Sequence, residues 1–349
     1  MDNYFEWLGA NTPTTWWHDS GDLSELEVAL NNQASGVTTN PVLIASALRS
    51  CGQNWKDELV EVFEKDLPDD IRSIELTSVV TKNIASRLSS IYCDSSGQCQ
   101  GFVCAQVNPT LMGDRESMLP TARKYAKIAP NISVKVPATK AGLEVAEICI
   151  AEGISITVTV SFTVAQVLAI GEMYERASQQ AVAQNIVPGA CCAVLMIGRI
   201  DDYIRNIVAD MDSEVSESDI RQAGLAVVKR AYGIYQERGY RAKLCVAALR
   251  GTYHMTELAG ADLIMSIHPK FQKPLLAPGI PREMRIDVPV EANILKRLST
   301  IPEFRKAYEP DGLTVEEFLS YGATQFTLSQ FIESGWKQIQ SFKMEEILG

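Results

Sequence analysis

Apolar and polar positions alternate over short stretches along most of this chain, and each such stretch is followed by a longer run with helical spacing. The clearest is Ile132-Ser133-Val134-Lys135-Val136-Pro137-Ala138-Thr139. Strand alternation places Ser133 and Lys135 on one face and Ile132, Val134 and Val136 on the other. Pro137 has no N–H to donate, so the ladder is predicted to stop there, and Thr139 is predicted to cap a helix closed by Gly153. Seven further strands are read at residues 14–19, 35–39, 101–107, 154–161, 189–197, 243–249 and 262–267. Helical sequence fills the intervals at 23–31, from 42, over most of 55–93, to about 184 and across 201–238, with 73–78 too short to assign. Residues 270–289 are read as an extended proline-rich loop, and the chain beyond Pro289 as helical.

Eight strands joined by helical crossovers predict an α/β fold, a closed parallel (β/α)8 TIM barrel. An open doubly wound sheet is the alternative, but no Gly-x-Gly-x-x-Gly loop follows any strand. No repeat, linker or low-complexity tract divides the chain. We therefore expect a single domain over residues 1–349, with about 282–349 as a helical extension packed on the barrel.

Composition narrows the partners. The 349 residues carry a net charge of −11, with Lys and Arg scattered. A broadly acidic surface argues against nucleic acid and anionic membrane, though not against a local basic pocket. No secretory signal is legible at the start and no window is apolar enough to span a bilayer, so a cytoplasmic protein is expected. A homo-oligomer is compatible with this composition. Of eight cysteines, Cys104, Cys149, Cys191, Cys192 and Cys245 sit in apolar runs, as buried free thiols do. The spacing of Cys93, Cys99 and Cys104 fits no common zinc-ligand pattern.

In parallel barrels the reactive groups collect where strands end. Those ends carry Asp19, Thr39, Asn40, Gln106, Asn108, Lys135, Thr159, Arg199 and Arg250. A lysine carried inward on a buried strand loses hydration of its ammonium form, and a neutral amine can attack a carbonyl. Read singly, each residue has a plainer role: a turn or cap for Asp19 and Asn40, strand filler for Thr159, an ion pair for either arginine. Two arginines at the ends of the sixth and seventh strands also suit a phosphate, which guanidinium groups grip in a bidentate way. His18, His254 (in a loop by this reading) and His268 form no triad with a serine. No His-Glu-x-x-His or Asp-x-Asp metal motif occurs, so a lysine mechanism without metal or cofactor is expected.

The motifs Asp19-Ser20-Gly21-Asp22, Gly36-Val37-Thr38-Thr39-Asn40-Pro41-Val42-Leu43-Ile44, Val134-Lys135-Val136-Pro137-Ala138, residues 153–159, Gly198-Arg199-Ile200-Asp201-Asp202 and Leu249-Arg250-Gly251 together resemble the transaldolase family. The tail from Phe304-Arg305-Lys306-Ala307-Tyr308 to Phe331-Ile332-Glu333 is similar to the end of its longer members. The resemblance covers nearly the whole chain. It implies a barrel enzyme, without cofactor, that moves a dihydroxyacetone unit between sugar phosphates in the pentose phosphate pathway. It implies Lys135 as the imine-forming lysine, Asp19 as the group handling a sugar hydroxyl proton, and Thr159 as orienting a catalytic water. Asn40 and Thr39 would hold the bound dihydroxyacetone, and Arg199 and Arg250 the phosphate.

Three positions depart from the family pattern. Where typical transaldolases carry glutamate in Val-Glu-Val-x-Pro, this chain has Ala105-Gln106-Val107-Asn108-Pro109. Gln106 can hydrogen-bond a catalytic water but cannot exchange a proton as a carboxylate does. The related fructose 6-phosphate aldolases also carry glutamine there and use a tyrosine on strand six, where this chain has Met196. A serine expected near the phosphate is replaced at about Val194. Asp19, or less directly Tyr203, is the candidate to take over the proton transfer. The alternatives are an aldolase that releases free dihydroxyacetone and a barrel that binds sugar phosphates without turning them over.

Overall fold

Eight short strands, every one parallel to its neighbours, close on themselves in the order of the sequence. They are β1 (Thr15–His18), β2 (Gly36–Val37), β3 (Phe102–Gln106), β4 (Ile132–Pro137), β5 (Ile156–Thr159), β6 (Cys191–Leu195), β7 (Lys243–Val246) and β8 (Ile264–Ile267). The computed structural model describes residues 3–92, 100–211 and 213–348, so Cys93 and Cys99 lie outside the described residues. Closure is made by β1 against β8, with Thr15 opposite Ile264 and His18 opposite Ile267. This is the (β/α)8 barrel that the pattern of the sequence predicts.

The strands are apolar nearly throughout because they are covered on both sides, by helices outside and by one another's side chains inside. Cys104, Ser133 and Thr157 meet in the barrel interior: Thr157 Oγ1 lies 2.7 Å from Ser133 Oγ and accepts a longer bond from Cys104 Sγ. Helix Lys140–Ala151 follows the lysine strand closely. Thr139 caps it by accepting from the Gly142 N–H, while its own hydroxyl donates to the Met112 carbonyl. Position 142 must be glycine, because a Cβ there would sit 1.9 Å from the Pro137 carbonyl oxygen. The helix ends as predicted, with Gly153 at φ +82°.

Several local readings are corrected. Helix Asp69–Leu88 runs unbroken through residues 73–78. An N-terminal helix, Tyr4–Asn11, buries Tyr4, Phe5 and Leu8, and Tyr4 donates to the Met255 carbonyl. Helix Pro269–Leu275 occupies the start of the supposed 270–289 loop. Its Pro269 stands at the helix start, where a missing N–H costs nothing. His254 belongs to helix Thr252–Leu258 and is buried against Asp201, with Nε2 3.1 Å from a carboxylate oxygen.

The C-terminal helices lie on the barrel, and Leu298, Phe304, Phe318, Phe331 and Trp336 join the same core as the strands. Helix Gly322–Phe331 runs directly into a π-helical turn, Ile332–Trp336. That turn sits on the start of helix Pro41–Cys51, so close that a Cβ at Gly335 would be 2.7 Å from the Val42 nitrogen. Asp70 Oδ1 ties the pieces together by accepting from Asn108 Nδ2, Trp336 Nε1 and Gln340 Nε2. Among the described residues no helix is long and apolar enough to cross a membrane.

Candidate active site

At the carboxyl ends of the strands lies a cavity of about 320 Å³, lined by Asp19, Asn40, Lys135, Thr159, Arg199 and Arg250 among others. Residues brought from eight separate stretches of the chain share one space. Four cationic side chains (Lys135, Arg199, Arg250 and Lys270) and one carboxylate, Asp19, face it. The local balance is therefore positive in a chain whose net charge is −11.

Lys135 forms the floor. It is 6% exposed, and its Nζ donates to the Thr39 backbone carbonyl at 2.9 Å. Alternation along β4 sends it inward, and the register pairs it with Gln106 on β3. Thr39 contributes its carbonyl rather than its hydroxyl, which donates to the Cys104 carbonyl at 2.6 Å. Asn40 caps helix Pro41–Cys51 and accepts through Oδ1 from the Val42 and Leu43 N–H groups, leaving Nδ2 for a ligand.

Asp19 stands one residue beyond β1. Its Oδ1 accepts from Thr38 Oγ1 at 2.7 Å, and Thr38 Oγ1 is 2.6 Å from Ser266 Oγ. An ionised carboxylate can only accept, so Thr38 donates to Asp19 and Ser266 to Thr38. Neither hydroxyl was expected at the site. His18, beside Asp19 and fully buried, is pushed down to about 4, chiefly by burial and then by nearby His268. Gln272 Nε2 donates to its Nδ1, which assigns the imidazole proton to Nε2.

Gln106 is 4% exposed, and its Oε1 is buried without a hydrogen-bond partner. It sits beside the lysine rather than among the residues that line the cavity. Thr159, at the end of β5, does line it, and Val160 after it takes φ +56°. A β-branched residue in the left-handed region is costly, on the order of 1–3 kcal/mol, and such strain concentrates at functional sites. Ala248, two residues before Arg250, has the same φ.

The arginines come from beyond the strand ends. Arg199 lies in the first turn of helix Ile197–Ala209, whose free N–H groups favour an anion nearby. Burial, and then the neighbouring Arg250, hold its guanidinium below the ordinary value. Its Nε is buried with no partner. Arg250 donates through Nε and an Nη to Asp202 Oδ2 at 3.0 and 2.6 Å, and through its other Nη to the Ala248 and Leu249 carbonyls. Gly198 lets the two loops meet, since a Cβ there would fall 2.1 Å from the Ala248 carbonyl oxygen.

Met196 also lines the cavity, and Val194 lies on β6, where its carbonyl accepts from Ser161 Oγ at 2.5 Å. Tyr203 is not among the residues that line the cavity, and its ring lies edge-on to Tyr321 at 5.4 Å between centroids. It is thus displaced as a substitute acid. Cys104 is buried as a free thiol in the barrel interior. Lining residues to which the sequence assigned no role are Ser266, His268, Lys270, Phe271, Gln330 and Phe331.

Comparison with known proteins shows what this chain is similar to. The family model described as transaldolase/fructose-6-phosphate aldolase matches residues 16–328. A protein named transaldolase from Mycobacterium ulcerans (strain Agy99) is 31% identical over 224 residues, covering 62% of this chain and 58% of its own length. Transaldolase 1 of Streptomyces avermitilis is 29% identical over 222 residues, with coverage of 62% and 58%. A transaldolase of Neisseria meningitidis serogroup C (strain 053442) is 24% identical over 324 residues, covering 92% of this chain and 82% of its own. The chain thus spans under two thirds of the length of the first two relatives and most of the third.

Proposed function

Because this chain belongs to the transaldolase/fructose-6-phosphate aldolase family, we propose that it transfers a dihydroxyacetone unit between sugar phosphates through an imine on Lys135. In the direction written, sedoheptulose 7-phosphate and glyceraldehyde 3-phosphate become erythrose 4-phosphate and fructose 6-phosphate. One observation carries the reading: a buried lysine at the floor of a cavity that also holds Asp19, Asn40, Thr159 and two arginines.

The Lys135 amine attacks the ketose C2 carbonyl, and loss of water with uptake of one proton from solvent leaves a protonated imine. The C3–C4 pair of electrons moves into that cation as a base takes the C4 hydroxyl proton, releasing an aldose phosphate and leaving an enamine. Asp19 is the base, held in place by Thr38 and Ser266. The enamine adds to the carbonyl of the incoming aldose, its new alkoxide recovers the proton, and water hydrolyses the imine. Thr159 orients that water, Asn40 Nδ2 holds a hydroxyl of the three-carbon unit, and Arg199 with Arg250 binds the phosphate.

Borohydride added with fructose 6-phosphate should fix a three-carbon adduct on the peptide containing Lys135. An adduct at Lys140 or Lys243 would overturn the assignment. Gln106 favours a second reading, aldolase turnover, because an amide stands where a proton-exchanging carboxylate would serve transfer. Assaying fructose 6-phosphate with and without erythrose 4-phosphate separates the two. Turnover only with the acceptor marks a transferase, turnover without it an aldolase. Absence of both favours a binding protein.

A further inference from the structure

The cavity has a wall that the barrel does not build. Gln330 and Phe331, at the end of helix Gly322–Phe331, reach the same space as Lys135 and the arginines. Gln330 also lines an adjoining cleft of about 480 Å³, together with Arg199, Asp202 and Arg205. Arg199 and Gln330 both line the two spaces, so they stand where the spaces meet.

Gln330 Oε1 is buried and accepts no hydrogen bond, and Arg199 Nε is buried and makes none. Buried polar groups are rarely left unmatched, and a donor and an acceptor unmatched at one boundary point to a ligand offering both kinds of group. A phosphate can only satisfy the guanidinium. The amide oxygen needs a hydroxyl close to that phosphate.

The placement of Gln330 is firmly held. The π-helical turn Ile332–Trp336 begins two residues after it, and such turns occur often at functional sites. Gly335 of that turn rests on the backbone of Pro41 and Val42, beside the Asn40 cap, and Trp336 Nε1 donates to Asp70 at 3.0 Å. The tail residue is thereby fixed relative to the loop that bears Asn40.

We propose that Gln330 determines acceptor specificity, its amide oxygen accepting from the hydroxyl on the carbon next to the phosphate-bearing carbon. This rests on the sugar-phosphate reading above. In D-glyceraldehyde 3-phosphate the group is the C2 hydroxyl. An acceptor that lacks it leaves the buried oxygen unmatched, and sites built this way discriminate against such analogues.

The test compares D-glyceraldehyde 3-phosphate with 3-phosphonooxypropanal, which lacks only that hydroxyl, as acceptors from sedoheptulose 7-phosphate, with release of erythrose 4-phosphate as the readout. The wild-type enzyme should prefer the hydroxylated aldehyde in kcat/KM, and Gln330→Met should shrink that preference by roughly 3–10-fold. Gln325→Met, on the exposed side of the same helix, should keep the wild-type ratio. Gln330→Glu retains an acceptor beside the phosphate. It should keep the preference while raising KM for both aldehydes through charge repulsion. A wild-type enzyme indifferent to the hydroxyl, or a folded Gln330→Met with an unchanged ratio, overturns the inference. Borohydride trapping of dihydroxyacetone on Lys135 separates the two failures. With the adduct present and the ratio flat, only the role of Gln330 falls; with no adduct, the sugar-phosphate reading falls first.

Discussion

The floor of the cavity and its arginine rim are built in opposite ways. On the floor, Lys135, Thr39, Asn40, Asp19, Thr38 and Ser266 hold one another by hydrogen bonds to backbone and hydroxyls that exist before any ligand arrives. On the rim, Arg250 is fixed by Asp202 and two carbonyls, yet Arg199 Nε and Gln330 Oε1 have no partner. The floor is borne by strands and the turns that leave them; the rim by a helix, the loop after β7 and the tail. Bond-making geometry is thus preorganised, and recognition is left to groups that a ligand completes. Gln106 breaks the rule, since its oxygen is unmatched on the floor side.

The largest effect should come from removing the amine. Lys135→Ala should lose the borohydride adduct and lower kcat on the order of 10⁴-fold or more, as loss of a covalent nucleophile does. Substantial residual turnover would show that the floor is not where the bond is made.

Acid should weaken the floor before the rim. His18 is held at about 4 against an ordinary 6.5, so the unfolded chain takes up its proton first as pH falls. Its contribution to stability is complete above about pH 6.5 and is lost as pH drops to about 4, amounting to about 3 kcal/mol. Urea midpoints measured across this window should fall. His18→Asn, which keeps an acceptor for Gln272, should flatten that part of the curve. An unchanged slope would place the acid-sensitive group elsewhere.

Substitutions on the rim should act through binding. Arg199→Ala or Arg250→Ala should raise KM for phosphorylated substrates roughly 10–150-fold, the equivalent of about 1.5–3 kcal/mol for a charged hydrogen-bond partner. Trapping of free dihydroxyacetone should change far less. Equal losses with both ligands would erase the distinction between floor and rim.

The smallest effect concerns the exception. Gln106→Glu should raise kcat for transfer about tenfold, less than the ~10²–10⁴ that a well-placed proton-transferring side chain adds, with little change in KM. A folded mutant that is slower would mean that the amide works within a different mechanism.

Much of the floor was legible in the sequence because strand alternation and the motifs place Lys135, Asp19, Asn40 and Thr159 directly. All eight strands could be read since their residues are nearly all buried and mostly apolar. Local pattern failed where tertiary contacts decide. Prolines at 269 and 274 resembled a loop, yet one opens helix Pro269–Leu275 and the other lies within it. Thr38 and Ser266 fall within the strands read at 35–39 and 262–267, which gave neither a role. Their importance lies in a hydroxyl contact between positions 228 residues apart. Gln330 carries no motif, and only packing of the tail on the Asn40 helix brings it to the cavity.

That the last wall of the cavity is supplied by the tail has a consequence for synthesis. A ribosome makes Lys135 long before Phe331, and at roughly 5–20 residues per second the delay is about 10–40 s. Until Ile267 is made, β1 has no β8 to pair with, so the growing sheet keeps two open edges that can join another chain. The lysine exists as chemistry early, but its pocket is finished among the last events of folding. A nascent chain therefore carries its nucleophile unsheltered, at the stage when chaperones matter most.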